Sequence, residues 1–513
     1  MRLTRRTFLA GVAAAATPTV LASCSAPDDS SGSESAGQSE MTVAGPIIAS
    51  YDPMNGCHLF FTTGQAVYDP LVMVSAEGVD PQPWLAESFE VSEDGHTISF
   101  KLHEDVKFVD GTHLDAPGLE KYLNSLFASK GFQWKLRVAD QSGAKAAATG
   151  KFTLDITLTK QPVSYQWWWQ FGLTPIASPA IVDDPSLLEN GPCGSGPYLI
   201  DQQVPDVSVT YKRNPDYWNT DKYPFDKATL QAYDDQVAVL NAVKTGQLDA
   251  GQINIPLAQE AQASKLTVTQ GPGNVGTIYI ADHNGKTIPA LGDKRVRHAI
   301  AMAFDRAAIL AATNLGFGSA SSQQFAPGQA EYVEGGDDRY PYDVAGAKAL
   351  MAEAGYAKGF DVKVPTFPGV SESINGTTNL EPIAQTSLAE IGINVTYEPY
   401  GGEAADYIKE VVKTNKYPMY LRNPAQTNWI VDFDEVWGPY DNAEFKALLK
   451  KSREGTPSEQ TEAQKEIGKF FLEEAWYVSF SRPAATMVSV AEVAIQIDGA
   501  YTNPKLWQYT AAK

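Results

Sequence analysis

Cysteine, histidine and positive charge are scarce in this chain, and each scarcity removes a class of function. Three cysteines in 513 residues cannot build a disulfide-rich scaffold or a four-thiolate metal site. The six histidines, His58, His96, His103, His113, His283 and His298, show no CxxC or HxxxH spacing, so neither a metal site nor a cofactor is expected. Acidic residues outnumber basic ones by 61 to 40, and a formal charge of −21 would repel nucleic acid and anionic head groups. Beyond the first two dozen residues, no stretch approaches the ~18 apolar residues of a membrane span. Catalytic signatures are missing too: there is no GxSxG elbow, Walker loop, HExxH or calcium-loop pattern. Gly271-Pro272-Gly273-Asn274-Val275-Gly276 satisfies GxGxxG, but the strand-like Thr277-Ile278-Tyr279-Ile280 follows where a dinucleotide needs a helix N-terminus. The segment reads as a turn between two strands.

What is present begins at the N-terminus. Thr4-Arg5-Arg6-Thr7-Phe8-Leu9, an apolar run from Gly11 to Ala22, and Leu21-Ala22-Ser23-Cys24 follow one another in the order of a twin-arginine signal peptide, 1–23, ending in a bacterial lipobox. The apolar run is too short to span a bilayer, so acyl chains on Cys24 are expected to hold the mature chain at the outer face of the cytoplasmic membrane. Cleavage removes Arg2, Arg5 and Arg6, which lowers the formal charge by three, from −21 to −24. Cys57 and Cys193 then remain. An oxidising exterior permits them to pair as a disulfide, and two buried free thiols are the alternative. Residues 24–40 are almost all Ser, Gly, Asp, Glu and Ala, a composition that buries no core and reads as a flexible spacer.

Folding is expected from Met41 onward. Ile98, Phe100 and Leu102 alternate, as do Phe152, Leu154, Ile156 and Leu158, which predicts two strands with one buried face each. A helix is predicted after Asp293 with Val296, Ile300, Ala303 and Ala307 on one stripe, and a second from Asp343 to Gly355. A third ends at Gly392 and hands over to the alternating Ile393, Val395 and Tyr397. Interleaved helices and strands over most of the chain indicate an α/β protein with several sheets.

Trp429-Ile430-Val431-Asp432-Phe433-Asp434-Glu435 sets three acids among aromatic residues, with Trp437 and Tyr440 close behind. Flat apolar walls around a few fixed charges describe a ligand pocket. The same acids also suit a secreted hydrolase using Asp432 and Glu435, or a solvated acidic turn. Trp167-Trp168-Trp169 is read as packing, because consecutive side chains cannot share a face.

Several blocks together resemble the extracellular solute-binding receptors of ABC importers, in the family of dipeptide, oligopeptide and nickel receptors (solute-binding protein family 5). They are Leu85-Ala86-Glu87-Ser88-Phe89, Val106-Lys107-Phe108-Val109-Asp110-Gly111-Thr112, Gly194-Ser195-Gly196-Pro197-Tyr198 and Arg213-Asn214-Pro215-Asp216-Tyr217-Trp218. Gly246-Gln247-Leu248-Asp249, Asp293-Lys294-Arg295-Val296-Arg297-His298-Ala299-Ile300, Phe304-Asp305-Arg306 and Glu353-Ala354-Gly355-Tyr356 continue the series in the same order.

The resemblance implies an α/β, two-lobed periplasmic-binding-protein-like (type II) fold with a hinge and an extra domain inserted in lobe one. Mapped here, lobe one comprises 41–75, 190–285 and 480–513, the insert 76–189, and lobe two 286–479. It implies a non-enzymatic monomer that captures a small-molecule ligand, a peptide in the first place, and delivers it to ABC permease subunits. An oligosaccharide, a metal chelate or another solute is the alternative cargo. In peptide-binding members an aspartate of a Trp-containing segment meets the ligand's α-amine, which points to Asp432 beside Trp429. The arginine found six positions earlier in oligopeptide receptors is Gln426 here, leaving Arg422 or Arg482 for a ligand carboxylate. Phe480 and Ser481, near the return to lobe one, are expected to line the cleft.

Overall fold

In the computed structural model, residues 1–37 and 38–513 form separate compact units, and the described residues all belong to the second. Described are 39–48, 50–54, 62–74, 81–129, 143–160, 168, 175–271, 275–366, 380–402, 407, 410–411, 414–422, 441–482, 484–497 and 504–512. The lipidation site Cys24, Cys57, Trp429 and Asp432 therefore lie outside the described residues. Among the described residues no helix is long and apolar enough to cross a membrane.

The predicted alternation is realised in a four-stranded antiparallel sheet of order β4-β5-β7-β6, made by β4 (Ala86–Val91), β5 (Thr97–Leu102), β6 (Lys145–Ala148) and β7 (Thr153–Thr157). Ile98, Phe100, Leu102, Leu154 and Ile156 bury one face, while Ser99 and Lys101 stay exposed. The helix Ala116–Ala128 supplies Leu119, Tyr122, Leu123 and Leu126 to the same core, and Asp115 caps its first turn through Gly118 N. Each such buried side chain stabilises the fold by about 1.5–3 kcal/mol. The pair β2 (Val72–Val74) and β3 (Pro81–Pro83) lies just before this sheet in the chain.

A seven-stranded sheet has the order β12-β19-β11-β1-β10-β9-β8. Its strands are β1 (Glu40–Ala44), β8 (Tyr198–Val204), β9 (Ser208–Arg213), β10 (Lys227–Gln231), β11 (Ala250–Ile253), β12 (Thr267–Gly271) and β19 (Ala485–Ser489). β1 runs parallel to β10 and β11, and the others run antiparallel to their neighbours. The register places the carboxyl ends of β1, β10 and β11, the end of β12 and the start of β19 along one edge, because Ile253 aligns with Thr486 and Gly271 with Ala485. A small hairpin, β20 (Val493–Ile495) with β21 (Tyr509–Ala511), follows β19.

A second sheet of order β14-β18-β13-β17 comprises β13 (Gly276–Tyr279), β14 (Ser319–Ala320), β17 (Tyr420–Arg422) and β18 (Tyr477–Arg482), and the parallel pair β15 (Phe360–Thr366) and β16 (Ile393–Pro399) accompanies it. Among the described strands the chain passes between these two sheets twice, between Gly271 and Gly276 and between Arg482 and Ala485. The GxGxxG segment does join two strands, but they belong to different sheets.

The predicted stripe through Ala303 and Ala307 is interrupted. The helix capped by Asp293 ends at Met302, Asp305 caps a new helix Arg306–Asn314 through Ala308 N, and Ala307 is exposed. A second capping aspartate restarts the backbone, so one apolar period spans two helices. The helices Val344–Glu353, capped by Asp343, and Leu380–Glu390 match expectation, with Gly355 and Gly392 at φ of +88° and +85° after their ends.

Candidate functional site

The second sheet brings two of the expected site residues to one place. β13 lies between β17 and β18, with Thr277 opposite Arg422 on one side and Gly276 opposite Ser481 on the other. The backbones of Arg422 and Ser481 thus flank the strand at its first residues, where the chain has just crossed from the other sheet. Two strand spacings separate them, about 10 Å.

Phe480 has a different role from the one expected. It is 1% exposed, and its ring packs on Phe304 with centroids 4.6 Å apart, inside the core under the second sheet. Val478 and Phe480 share one core and Tyr477 belongs to another, so Ser479 points to the face opposite Phe480, and the register with β13 shifts at Phe480, between Ser479 and Ser481. Thr277 and Ser479 are directly paired in register and fully buried, and Ser479 Oγ makes no hydrogen bond among the described residues. These two hydroxyl positions escaped sequence reasoning because neither belongs to a recognisable motif. Their relevance comes only from the pairing of β13 with β18.

Arg482 is occupied by a structural partner. Its Nη2 donates to Asp337 Oδ1 at 2.7 Å and to Phe325 O, and Asp337 also accepts from Ser321 Oγ at 2.7 Å and from Tyr332 OH at 3.1 Å. Burial opposes the charge of Asp337, yet the hydrogen bonds from Arg482 and Ser321 outweigh it and hold the carboxyl below its usual range. Arg306, from the Phe304-Asp305-Arg306 block, is a second anchor of β18. Its Nε donates to Ser479 O at 2.9 Å and its Nη1 to Tyr340 O at 2.7 Å, while burial pushes the guanidinium down to about 10.

Cys193 is a buried free thiol in this structure, and Cys57, the partner considered for it, lies outside the described residues. Burial, with the Asp110 carboxylate, raises the Cys193 thiol and keeps it protonated.

The receptor-like motifs of the first half converge on a residue that sequence reasoning passed over. Asp69, 2% exposed, accepts from Trp84 Nε1 at 2.8 Å and Tyr217 OH at 3.0 Å through Oδ1, and from Ser195 Oγ at 2.9 Å and Trp218 Nε1 at 3.3 Å through Oδ2. Ser195 comes from Gly194-Ser195-Gly196-Pro197, and Tyr217 and Trp218 come from the block after Arg213. Close approach explains the glycines: a Cβ on Gly194 would lie 2.0 Å from Val67 O, and one on Gly196 would lie 2.3 Å from Val67 C. Lys222 sits 4.4 Å above the Trp84 ring, and Trp507 stacks on Trp84 at 5.5 Å. Burial pushes the Asp69 carboxyl up to about 6 against the pull of its four donors. Such a cluster ties the start of β4 to the chain flanking β8 and β9, with both Asp69 oxygens engaged.

Residues 80–447 match the family described as bacterial extracellular solute-binding proteins, family 5 Middle. The nickel-binding periplasmic protein of Escherichia coli is 27% identical over 438 residues, covering 80% of this chain and 78% of that protein. The dipeptide-binding protein of Pseudomonas aeruginosa is 26% identical over 382 residues, 68% of each chain. The structure of HbpA2 from Haemophilus parasuis aligns with a TM-score of 0.76 and 20% identity over 92% of this chain and all of that one, a likeness of fold. With the family pattern covering most of the chain, this protein belongs to the bacterial extracellular solute-binding proteins of family 5.

Proposed function

We propose that the chain is the substrate-binding receptor of an ABC importer, capturing a peptide or peptide-like solute outside the membrane and handing it to the permease by lobe closure. The observation that carries this reading is the pair of adjacent crossings, 271–276 and 482–485, which leave one edge of the first sheet together and enter the second. Two neighbouring connections on one edge allow rotation of one lobe against the other, and a ligand touching both lobes favours the closed state. In open α/β sheets ligands bind beyond the carboxyl ends of the strands, which is the edge the crossings share.

Peptide cargo rests on membership in a family with dipeptide-binding relatives and on the Trp429-Asp432 segment. In this reading Asp432 meets the ligand amine, Trp429 stacks on it, and Arg422, whose strand borders β13 beside the crossing, meets the carboxylate. Ser481 contributes from the neighbouring strand, and Phe480 supports it from the core. The twin-arginine signal exports the chain, acylated Cys24 tethers it as a monomer to the outer face of the cytoplasmic membrane, and 24–40 gives it reach to the permease.

A thermal-shift screen of the mature chain against di- and tripeptides, oligosaccharides and metal chelates tests the cargo, because a ligand bound only by the folded state raises the melting temperature. Peptides are expected to shift it and Asp432→Ala to abolish the shift. A shift with sugar or chelate alone, or a peptide shift that survives Asp432→Ala, would overturn the peptide assignment.

A further inference from the structure

We propose that the Asp337–Arg482 pair is a positioning device for closure: it ends the rigid part of β18 at Arg482 and so confines rotation on that side to residues 483–484; this rests on the receptor reading above. β18 lies between two strands here, with Gly276 of β13 opposite Ser481 on one side and Ser319 of β14 opposite Arg482 on the other. Arg482 is the last residue of β18 with a strand partner, and β19 begins at Ala485. A hinge is the few residues that absorb the change in φ and ψ, so whatever holds Arg482 decides where the hinge starts.

The hold on Arg482 comes from one segment that folds back over the strand end. After β14 the chain carries four polar residues in a row, Ser321, Ser322, Gln323 and Gln324, and all are buried. Ser321 N donates to Phe480 O at 3.2 Å, Ser322 N to Asp337 O at 2.8 Å, and Gln323 Nε2 to Asp337 Oδ1 at 3.2 Å. The guanidinium closes the loop. Besides Asp337 Oδ1, Arg482 Nη2 donates to Phe325 O and, at 3.4 Å, to Gln323 O, and its Cζ lies 5.8 Å from the Tyr332 ring centroid. One planar cation therefore joins the end of β18 to two carbonyls and a carboxylate, a geometry that a point charge on a flexible stem does not copy.

Stability alone does not account for this arrangement. A buried ion pair can often be exchanged for apolar side chains of similar volume without loss of stability, so its presence points to geometry. Arg482 is 6% exposed, yet its Nε is buried with no hydrogen bond among the described residues, an unmade bond that costs stability. What the pair supplies is a fixed direction for the strand end. With it, closure turns 483–484 on this side and 272–275 on the other. Without it, the pairing of Ser319 with Arg482 and of Ala320 with Ser481 rests on the two-residue strand β14 alone, and the hinge lengthens into β18. A longer hinge samples more orientations, which binding must then remove, and affinity falls.

Hydrogen exchange read by mass spectrometry on the mature full-length chain tests this, with wild type beside the double variant Arg482→Met, Asp337→Leu. The variant is expected to melt within a few degrees of wild type, while peptides covering 319–322 and 479–482 exchange about tenfold faster and those covering β16 do not change. Small-angle scattering of the ligand-free variant should show a larger radius of gyration, and its affinity for the di- and tripeptides of the thermal-shift screen should fall about fivefold. Should the double variant fail to fold, Arg482→Lys keeps the cation without the planar fork and is expected to show the same local loss. Exchange and affinity equal to wild type in a folded variant would overturn the positioning role. So would faster exchange spread evenly over the second sheet, which marks a pair that only stabilises. Faster exchange confined to 319–322 and 479–482, in a chain whose wild type binds none of the screened solutes, would overturn the receptor reading instead and with it the link from hinge to affinity.

Discussion

Trp84 Nε1 donates to Asp69 Oδ1 at 2.8 Å, tying the entrance of the β4–β7 sheet to the chain flanking β8 and β9 through a carboxylate with no cation among its four hydrogen-bond donors. With its carboxyl raised to about 6, the folded chain takes up this proton well before the unfolded chain does. Its contribution is therefore fully present below pH ~4 and lost as the pH rises through ~6. Urea denaturation of wild type and Asp69→Asn at pH 7 and pH 4 should show wild type gaining about 2 kcal/mol on the variant at the lower pH. A constant difference between the two proteins would contradict the assignment. At pH 7 the variant leaves donors of the cluster without a good acceptor, at about 1–3 kcal/mol each.

His283 works in the opposite direction. Its ring stacks on Trp476 with centroids 3.7 Å apart, and burial, assisted by nearby Arg297, pushes the imidazole down to about 4. The unfolded chain binds this proton near pH 6.5, so stability present above that value is lost as the pH falls through ~4. In the same titration His283→Gln should resist acid better than wild type, by up to about 3 kcal/mol between pH 7 and pH 4. The two substitutions bend the pH profile of stability in opposite senses, a pattern that loss of packing alone does not produce.

Local pattern carried most of the fold that was legible in the sequence. The alternation in 97–102 and the aspartate caps at 293 and 343 needed only neighbours along the chain to be read, and the structure has them. What the sequence hid depends on distant partners. Asp69 is an ordinary acid until Trp84, Ser195, Tyr217 and Trp218, up to 149 residues away, close around it. The change of sheet at 271–276 was hidden because β12 and β13 look like any two strands on either side of a glycine-rich turn. Only the pairing of β13 with β17 and β18 reveals it. Phe480 misled for a related reason, since closeness to the crossing says nothing about which face of β18 a residue occupies.

Two neighbouring residues of β18 give a direct contrast. Phe480→Ala opens a cavity beside Phe304 and should cost about 3–5 kcal/mol of stability. Ser481→Ala removes one hydroxyl beside the crossing and should cost about 1 kcal/mol or less, while weakening ligand binding more than its small effect on stability. Calorimetric unfolding with ligand titration of each variant separates the two roles. A Phe480→Ala chain with unchanged melting temperature would mean that the ring faces the cleft after all.

Gly271 ends β12 at the first crossing, and a Cβ built there would lie 2.1 Å from Ile497 Cγ2 and 2.8 Å from Ile497 Cβ. No real Cβ tolerates such contacts, so the branched side chain of Ile497 sits where the glycine leaves room. Gly271→Ala should therefore destabilise the chain by about 1–3 kcal/mol through overpacking. Ile497→Ala alone should be costly through lost burial, but in the double variant the new methyl occupies space the isoleucine gave up. The double variant should thus be more stable than the sum of the single costs by about 0.5–3 kcal/mol. Denaturant midpoints for the four proteins close this cycle, and strictly additive costs would show that the crossing is not packed against Ile497. Ligand affinity measured on the same set reports whether the contact also restrains closure. If it does, Ile497→Ala alters affinity while Gly271 keeps its glycine, because the crossing then turns with one fewer neighbour to push aside.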